Sequence, residues 1–285
     1  MKSGEILILD KFDSLQYERI MREVISSSLL SFPFTYQQVE LRQIKIKIEK
    51  LIKGKFAEAL FKYFCEANEL PTNFDACETG YNKPKKRDFI FENIEFDLIN
   101  NYLYHPNQLL SSSDYLELPA LIPNKNEYDF WSQRNHCKLA KSKHAGFVFT
   151  LLKNADGFGP KKQFFEFDIS IAQIKFLQEL RQSYGNTKVP NKPFEEAFFW
   201  DEFLNRGGPF EFSFNHKPIL IIGPVASANQ WHLFQDLGKQ PRTFGQQVFR
   251  TVISNMGCKW SELPSFYSIL PPIQQEIEIA SLFTD

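Results

Sequence analysis

The chain is poor in the residues that most often mark a reactive centre. Among its 285 residues are four cysteines, Cys65, Cys77, Cys137 and Cys258, and no two form a CxxC pair. That spacing argues against a zinc site or a disulfide framework and for a reducing, cytoplasmic setting. The five histidines, His105, His136, His144, His216 and His232, make neither an HxH nor an HExxH pattern, which removes the common zinc hydrolases. No GxSxG elbow, GxxxxGK[ST] loop or GxGxxG turn occurs. Gly157-x-Gly159 is followed by Pro160-Lys161-Lys162 instead of a helix start, so it is no nucleotide cradle. The first ten residues lack the charged and apolar regions of a secretory leader. No apolar run approaches the length of about 20 residues needed to span a bilayer. A formal charge of −1 excludes a globally basic nucleic-acid wrapper, leaving polyanion contacts to local patches.

Phenylalanine is what the chain has in excess, thirty residues against three methionines. With 43% hydrophobic residues the chain can build a large, stiff, aromatic core. Residues 5–9 read as an opening strand. Phe12 to Leu30 follows as a helix with Asp13 as its N-cap, ended by Pro33. Residues 36–53 lean towards helix, although Ile44, Ile46 and Ile48 alternate as a strand would. Gly54 opens a clearer helical unit whose stripe is Phe56, Ala57, Leu60, Phe61, Phe64 and Cys65, closed by Pro71. Further on, Leu116 to Ile122 is an apolar plug, His144 to Lys153 a buried central strand, Phe164 to Asp168 a strand and Ile171 to Leu180 a helix. Phe210 to Phe214 and Ile219 to Ile222 read as a hairpin across Asn215–Pro218. Thr243 to Asn255 reads as a helix, and a short helix follows Pro272. The expected fold is α+β, a central mixed sheet flanked by helices, with a core over residues 1–182 and a C-terminal extension over 183–285 that can belong to the same domain.

The stretch Lys85 to Asn101 carries the chemistry. Two short strands, Arg87 to Phe91 and Ile94 to Asn100, joined at Glu92-Asn93, put Phe91 opposite Ile94, Phe89 opposite Phe96, Ile90 opposite Glu95 and Asp88 opposite Asp97. Alternation then places Phe89, Phe91, Ile94, Phe96 and Leu98 on a core face. The other face holds Asp88, Glu95 and Asp97 beside Ile90 and Ile99. Opposed strand residues have Cβ atoms roughly 4.5–5.5 Å apart, where like charges repel. A divalent cation with oxygen ligands would relieve that repulsion; a wet, polar-out hairpin face is the plainer reading. Lys83, Lys85, Lys86 and Arg87 lie just before Asp88, and Lys138, Lys141, Lys143 and Lys161-Lys162 adjoin other strand ends, as phosphate contacts would. Ordinary surface charge explains them as well. Trp131, Trp200, Trp231 and Trp260 offer stacking surfaces for unpaired bases, with Gln230-Trp231-His232 the most exposed in appearance.

Glu58 on the helix after Gly54, Asp88 opening one strand, Glu95-Phe96-Asp97-Leu98-Ile99 on the next, and the buried strand from His144 together resemble the core of the PD-(D/E)XK nuclease superfamily. The resemblance spans residues 50–155. It implies a restriction-endonuclease-like fold in which Asp88, Asp97, Glu95 and Glu58 hold Mg²⁺ (or Mn²⁺) and direct water onto a DNA phosphodiester. Glu58 also stands four residues before Lys62, a spacing that forms a surface ion pair on any helix. The family's lysine, two residues after the second acid, is missing. Its position falls on Ile99 if Asp97 is that acid, and on Asp97 if Glu95 is. Two functions therefore stand side by side: a Mg²⁺-dependent DNA endonuclease in nucleic-acid processing or defence, and a catalytically inactive nuclease-fold protein that binds DNA or a protein partner, a homodimer included.

Overall fold

A computed structural model describes residues 1–2, 5–10, 13–35, 40–78, 87–103, 112–123, 145–154, 164–183, 195–238, 242–244, 247–249 and 255–270. The first helix, α1 (Ser14–Thr35), starts where Asp13 was expected to cap it. The Leu15 N–H donates to Asp13 Oδ1 at 3.0 Å, and the Asp13 N–H donates to Gln16 Oε1 at 3.1 Å. This reciprocal pair satisfies two amides that the helix start leaves open. Pro33 does not end α1; the helix continues to Thr35. A proline this close to the end removes one amide from the last turn without disturbing the turns before it.

The alternating isoleucines of residues 44–48 resolve as helix. In α2 (Ile44–Ala67), Ile44, Ile48 and Ile52 are buried at four-residue spacing, while Ile46 is 52% exposed. Gly54 is therefore internal to α2, not its start. Phe56, Ala57, Leu60, Phe61, Phe64 and Cys65 continue the buried stripe.

The central sheet runs β1 (Leu7–Leu9), β9 (Pro218–Ser227), β6 (Ala145–Asn154), β4 (Ile94–Leu103), β3 (Phe89–Phe91) and β2 (Thr72–Asn73). The β3–β4 hairpin has the expected register, Phe89↔Phe96, Ile90↔Glu95 and Phe91↔Ile94. Glu92 and Asn93 both take positive φ, 47° and 66°, the backbone of a type I′ turn. β4 and β6 pair in parallel, and β9 lies antiparallel between β6 and β1. Residues beyond 183 thus supply an interior strand of the sheet.

Three local expectations fail, two of them because pairing partners lie far apart in sequence and one because a local hairpin forms where a helix was expected. Residues 210–214 and 219–222 are strands but not a hairpin. β8 (Glu211–Phe214) pairs with β7 (Phe165–Asp168), and β9 enters the main sheet. The expected helix at 243–255 is replaced among its described residues by β11 (Arg242–Phe244), β12 (Gln247–Phe249) and the start of β13 (Asn255–Lys259). The plug at 116–122 contains the end of α3 (Ser112–Leu116) and most of β5 (Pro119–Pro123), which joins β13 and β10 (Gln235–Gly238) in a small sheet. Beyond β7 come α4 (Ile171–Ser183), as expected, and α5 (Glu196–Asn205), which the sequence reading did not anticipate. The expected helix after Pro272 lies outside the described residues, as does Cys137. Cys65, Cys77 and Cys258 are free and buried. No described helix is long and apolar enough to cross a membrane.

Both faces of the sheet are covered. On one, rings from α2 meet rings from the hairpin: Phe61 lies 5.2 Å from Phe89, and Phe89 stacks on Phe96 at 5.2 Å and 10°. The other face (Phe147, Phe149, Leu151, Ile219, Ile221) packs on Tyr115, Leu118, Ile122, Phe234 and Trp260. Gly146 matters here, because a Cβ on it would sit 2.4 Å from the Phe96 ring.

Phe61→Ala should destabilise the protein by about 3–5 kcal/mol, the usual loss for a buried ring, whereas Leu15→Ser, at a position 73% exposed, should stay within about 0.5 kcal/mol; urea unfolding measures both. Burial, assisted by Asp114, pushes the Tyr115 phenol up from its ordinary 10.0 to about 12. The unfolded chain then loses that proton first as pH rises, so this contribution to stability is complete below pH 10.0 and is lost towards about pH 12. Buried Tyr17 and Cys258 are shifted upward as well and act in the same sense. Tyr115→Phe should accordingly flatten the alkaline fall of the melting temperature.

Candidate functional site

The acidic strand pair is built differently from its pattern. The paired register stops at Phe89↔Phe96. Beyond it the Asp88 N–H donates to the Phe96 carbonyl at 2.9 Å, and the Leu98 N–H donates to Asp88 Oδ2 at 2.6 Å. The carboxylate thus serves a β4 amide that the ladder no longer serves, and closes the hairpin's open end. The expected face-to-face repulsion of Asp88 and Asp97 is replaced by this side-chain cap.

A second correction concerns charge. The face was expected to carry acids and no base, but Arg87 lies across it. Its Nε stands 2.9 Å from Glu95 Oε2 and its Nη1 3.8 Å from Asp97 Oδ2. The Arg87 and Asp97 side chains are only 11% and 9% exposed, whereas Glu95 is half exposed. Strand alternation does not set the side of Arg87, since it precedes the first paired residue and its long chain can fold back. Burial explains the arrangement. A buried carboxylate with no counter-charge costs several kcal/mol, and β4 presents Asp97 on the sheet face of the second core, in register with Phe147. Ile99, next on that face, packs against the same core. This is a covered face, not a solvated one.

Glu58 comes from the opposite layer. It lies off the buried stripe of α2, and α2 packs its aromatic side on Phe89, across the sheet from Asp97. Lys62 ion-pairs with Glu66, Asp75 and Glu78 at 3.5–3.8 Å. Glu95 and Asp97 are therefore brought together by Arg87, Asp88 next to them accepts the Leu98 amide, and Glu58 stands on the helix that covers the sheet's other face. Among the described residues no group of three or more His, Cys, Asp or Glu is arranged to hold a metal ion.

The missing lysine is not supplied by β6. Lys153 is 1% exposed on that strand, and desolvation lowers its pKa. It shares the Asp97 face, but Asp97 is in register with Phe147. Six residues of strand place Lys153 roughly 20 Å away, beyond a lysine's reach. In the sequence Lys153 looks like no more than the polar end of an apolar strand.

Lys83, Lys85, Lys86, Lys141 and Lys143 lie outside the described residues, as do Lys138, His144, Lys161 and Lys162. Of the proposed phosphate contacts only Arg87 is described, and it is engaged with acids. The aromatic candidates are largely committed too. Trp260 is in the core, and Trp231 stacks on Phe234 at 5.6 Å. Gln230 accepts the Ser227 N–H at 2.9 Å, and His232 Nδ1 meets the Asn229 carbonyl at 3.0 Å.

One feature escaped the sequence reading altogether. The outward face of β7–β8 and the first turns of α2 enclose a cleft of about 870 Å³ containing Glu49, Glu166, Asp168 and Glu211 with Lys45. The alternation in FEFD and EFSF was visible; that these two segments pair was not.

No family model, curated protein or solved structure matches the chain.

Replacing Arg87 by Met should remove a positive charge beside buried Asp97 and cost about 3–5 kcal/mol at neutral pH. Asp97→Asn on that background should recover most of the loss. A double-mutant cycle by urea unfolding measures the coupling, and strictly additive losses would refute the pairing.

Proposed function

We propose that this chain is a restriction-endonuclease-like protein that works by binding and not by cutting. Support for the fold comes from connectivity. Helix α2 is followed by the antiparallel meander β2–β3–β4, and a crossover returns the chain to β6, parallel to β4. This is the helix, hairpin and buried strand on which the family resemblance rests, with Asp88 at the start of one strand and Glu95 and Asp97 on the next.

The observation that carries the loss of chemistry is the Arg87 guanidinium between Glu95 and Asp97. Metal-dependent phosphodiester cleavage needs carboxylates free to hold the ion and a group to orient the attacking water. Here one guanidinium from within the chain stands beside both acids, and an arginine offers donors only, so it cannot act as a base. Ile99, at one of the two lysine positions, has no donor. Mg²⁺ at Glu95 and Asp97 would have to displace Arg87 and leave it without these two partners. The donor set as arranged does not suit the ion, so no catalytic step is derived through it. The competing reading, a Mg²⁺-dependent DNA endonuclease, requires that displacement.

Incubation of the protein with supercoiled plasmid and Mg²⁺ or Mn²⁺ tests the proposal. No nicking and no metal-induced rise in melting temperature are expected. Metal-dependent nicking that disappears in Asp88→Ala or Asp97→Asn would overturn it.

A further inference from the structure

We infer that the cleft over β7–β8 is the docking site for an extended segment of a partner protein, one bearing basic side chains at alternate positions followed by an aliphatic residue. The inference rests on the reading of this chain as a binding protein and names the chemistry of its partner.

The cleft is acidic by construction. Antiparallel pairing sets Asp168 opposite Glu211 and Glu166 opposite Ser213, all four exposed on one face. Directly opposed like charges weaken a sheet, so Asp168 and Glu211 cost stability unless something offsets them. Lys45 reaches Asp168 at 3.1 Å and holds its pKa below the ordinary carboxylate value. Glu211 has no ion-pair partner among the described residues. The size of the cleft suits an occupant of several side chains.

An apolar patch adjoins it. Ile171 is 70% exposed and Leu41 37%, and with Ile174 they line a second, shallower depression. Asp168 lies three residues before Ile171 and Lys45 four after Leu41, so the Lys45–Asp168 ion pair marks the border between the two surfaces.

These features choose among occupants. Nucleic acid is repelled, since its phosphates would meet carboxylates. No group of three candidate metal ligands exists among the described residues. A partner peptide fits on three counts. Glu166 and Asp168 repeat every second residue along β7, the period at which an extended chain presents side chains to one side. Among the described residues β7 pairs with β8 alone, so an extended segment laid along β7's other edge would continue this two-stranded sheet. Ile171 and Leu41 then receive an aliphatic side chain just past the basic ones. Charge complementarity sets specificity and encounter rate, and the apolar contact holds the complex.

The probe is a fluorescein-labelled peptide of sequence Gly-Lys-Thr-Lys-Val-Leu-Gly, followed by fluorescence anisotropy with the full chain. Binding should weaken several-fold between about 50 and 300 mM KCl, because the Debye length shortens over that range. Glu166→Lys/Glu211→Lys should weaken it about tenfold or more, and Ile171→Asp several-fold. Melting temperatures should not fall, since every altered side chain is exposed and Glu211→Lys replaces a like-charged neighbour of Asp168 by an opposite one. Equal binding by a peptide with Glu in place of Lys, no binding at all, or unchanged affinity in the double variant would each overturn the inference, as would a DNA duplex that displaces the peptide. Loss of peptide binding without plasmid nicking leaves the non-cutting reading intact; nicking refutes that reading whatever the peptide does.

Discussion

The ring of Phe96 lies where a side chain on Gly146 would have to go, 2.4 Å from the position of its absent Cβ. That close approach lets β4 pair in parallel with β6 while Phe96 stacks on Phe89 and Phe89 meets Phe61 of α2. One contact therefore ties hairpin, central strand and core helix together. Residues of β4 alternate with period two, so the seating of Phe96 on the helical side sends Asp97 to the other side. There the small sheet and Trp260 build the second core. The placement of Asp97 is a consequence of packing before it is a matter of function.

A carboxylate carried towards an apolar layer must be matched. A metal ion can do it, and so can an arginine. Here the arginine is the residue immediately before Asp88, a member of what looked like a phosphate-binding run. Asp88 takes over the hydrogen bonding that the hairpin ladder abandons. Two acids of the proposed metal set thus have structural duties, and a second group of acids, Glu166, Asp168 and Glu211, lies exposed on the other ribbon, β7–β8.

Much of the fold could be read locally. The two-residue turn and the run of alternating phenylalanines set the hairpin register, because only one register puts all the rings on one face. Asp13 marked the start of α1, and the run after Gly54 marked the buried stripe of α2. For the strands that pair across the chain, the deciding partner is remote. Residues 211–214 pair with 165–168, and 255–259 with 119–123; no local period reveals such a choice. The stretch 243–255 showed how a short apolar pattern fits helix and strand alike until a neighbour decides.

The amino-acid sequence by itself determined which side chains share a face, since backbone geometry converts spacing into direction without reference to anything else. It also determined that no lysine follows the acids of β4. The tertiary structure alone decided what those faces meet: that the acidic face is covered, that Arg87 supplies its counter-charge, that Glu58 belongs to the opposite layer, and that two strands some forty residues apart join into an acidic ribbon. Charge pairing depends on distance in space and on burial, and neither is contained in the order of residues along one strand.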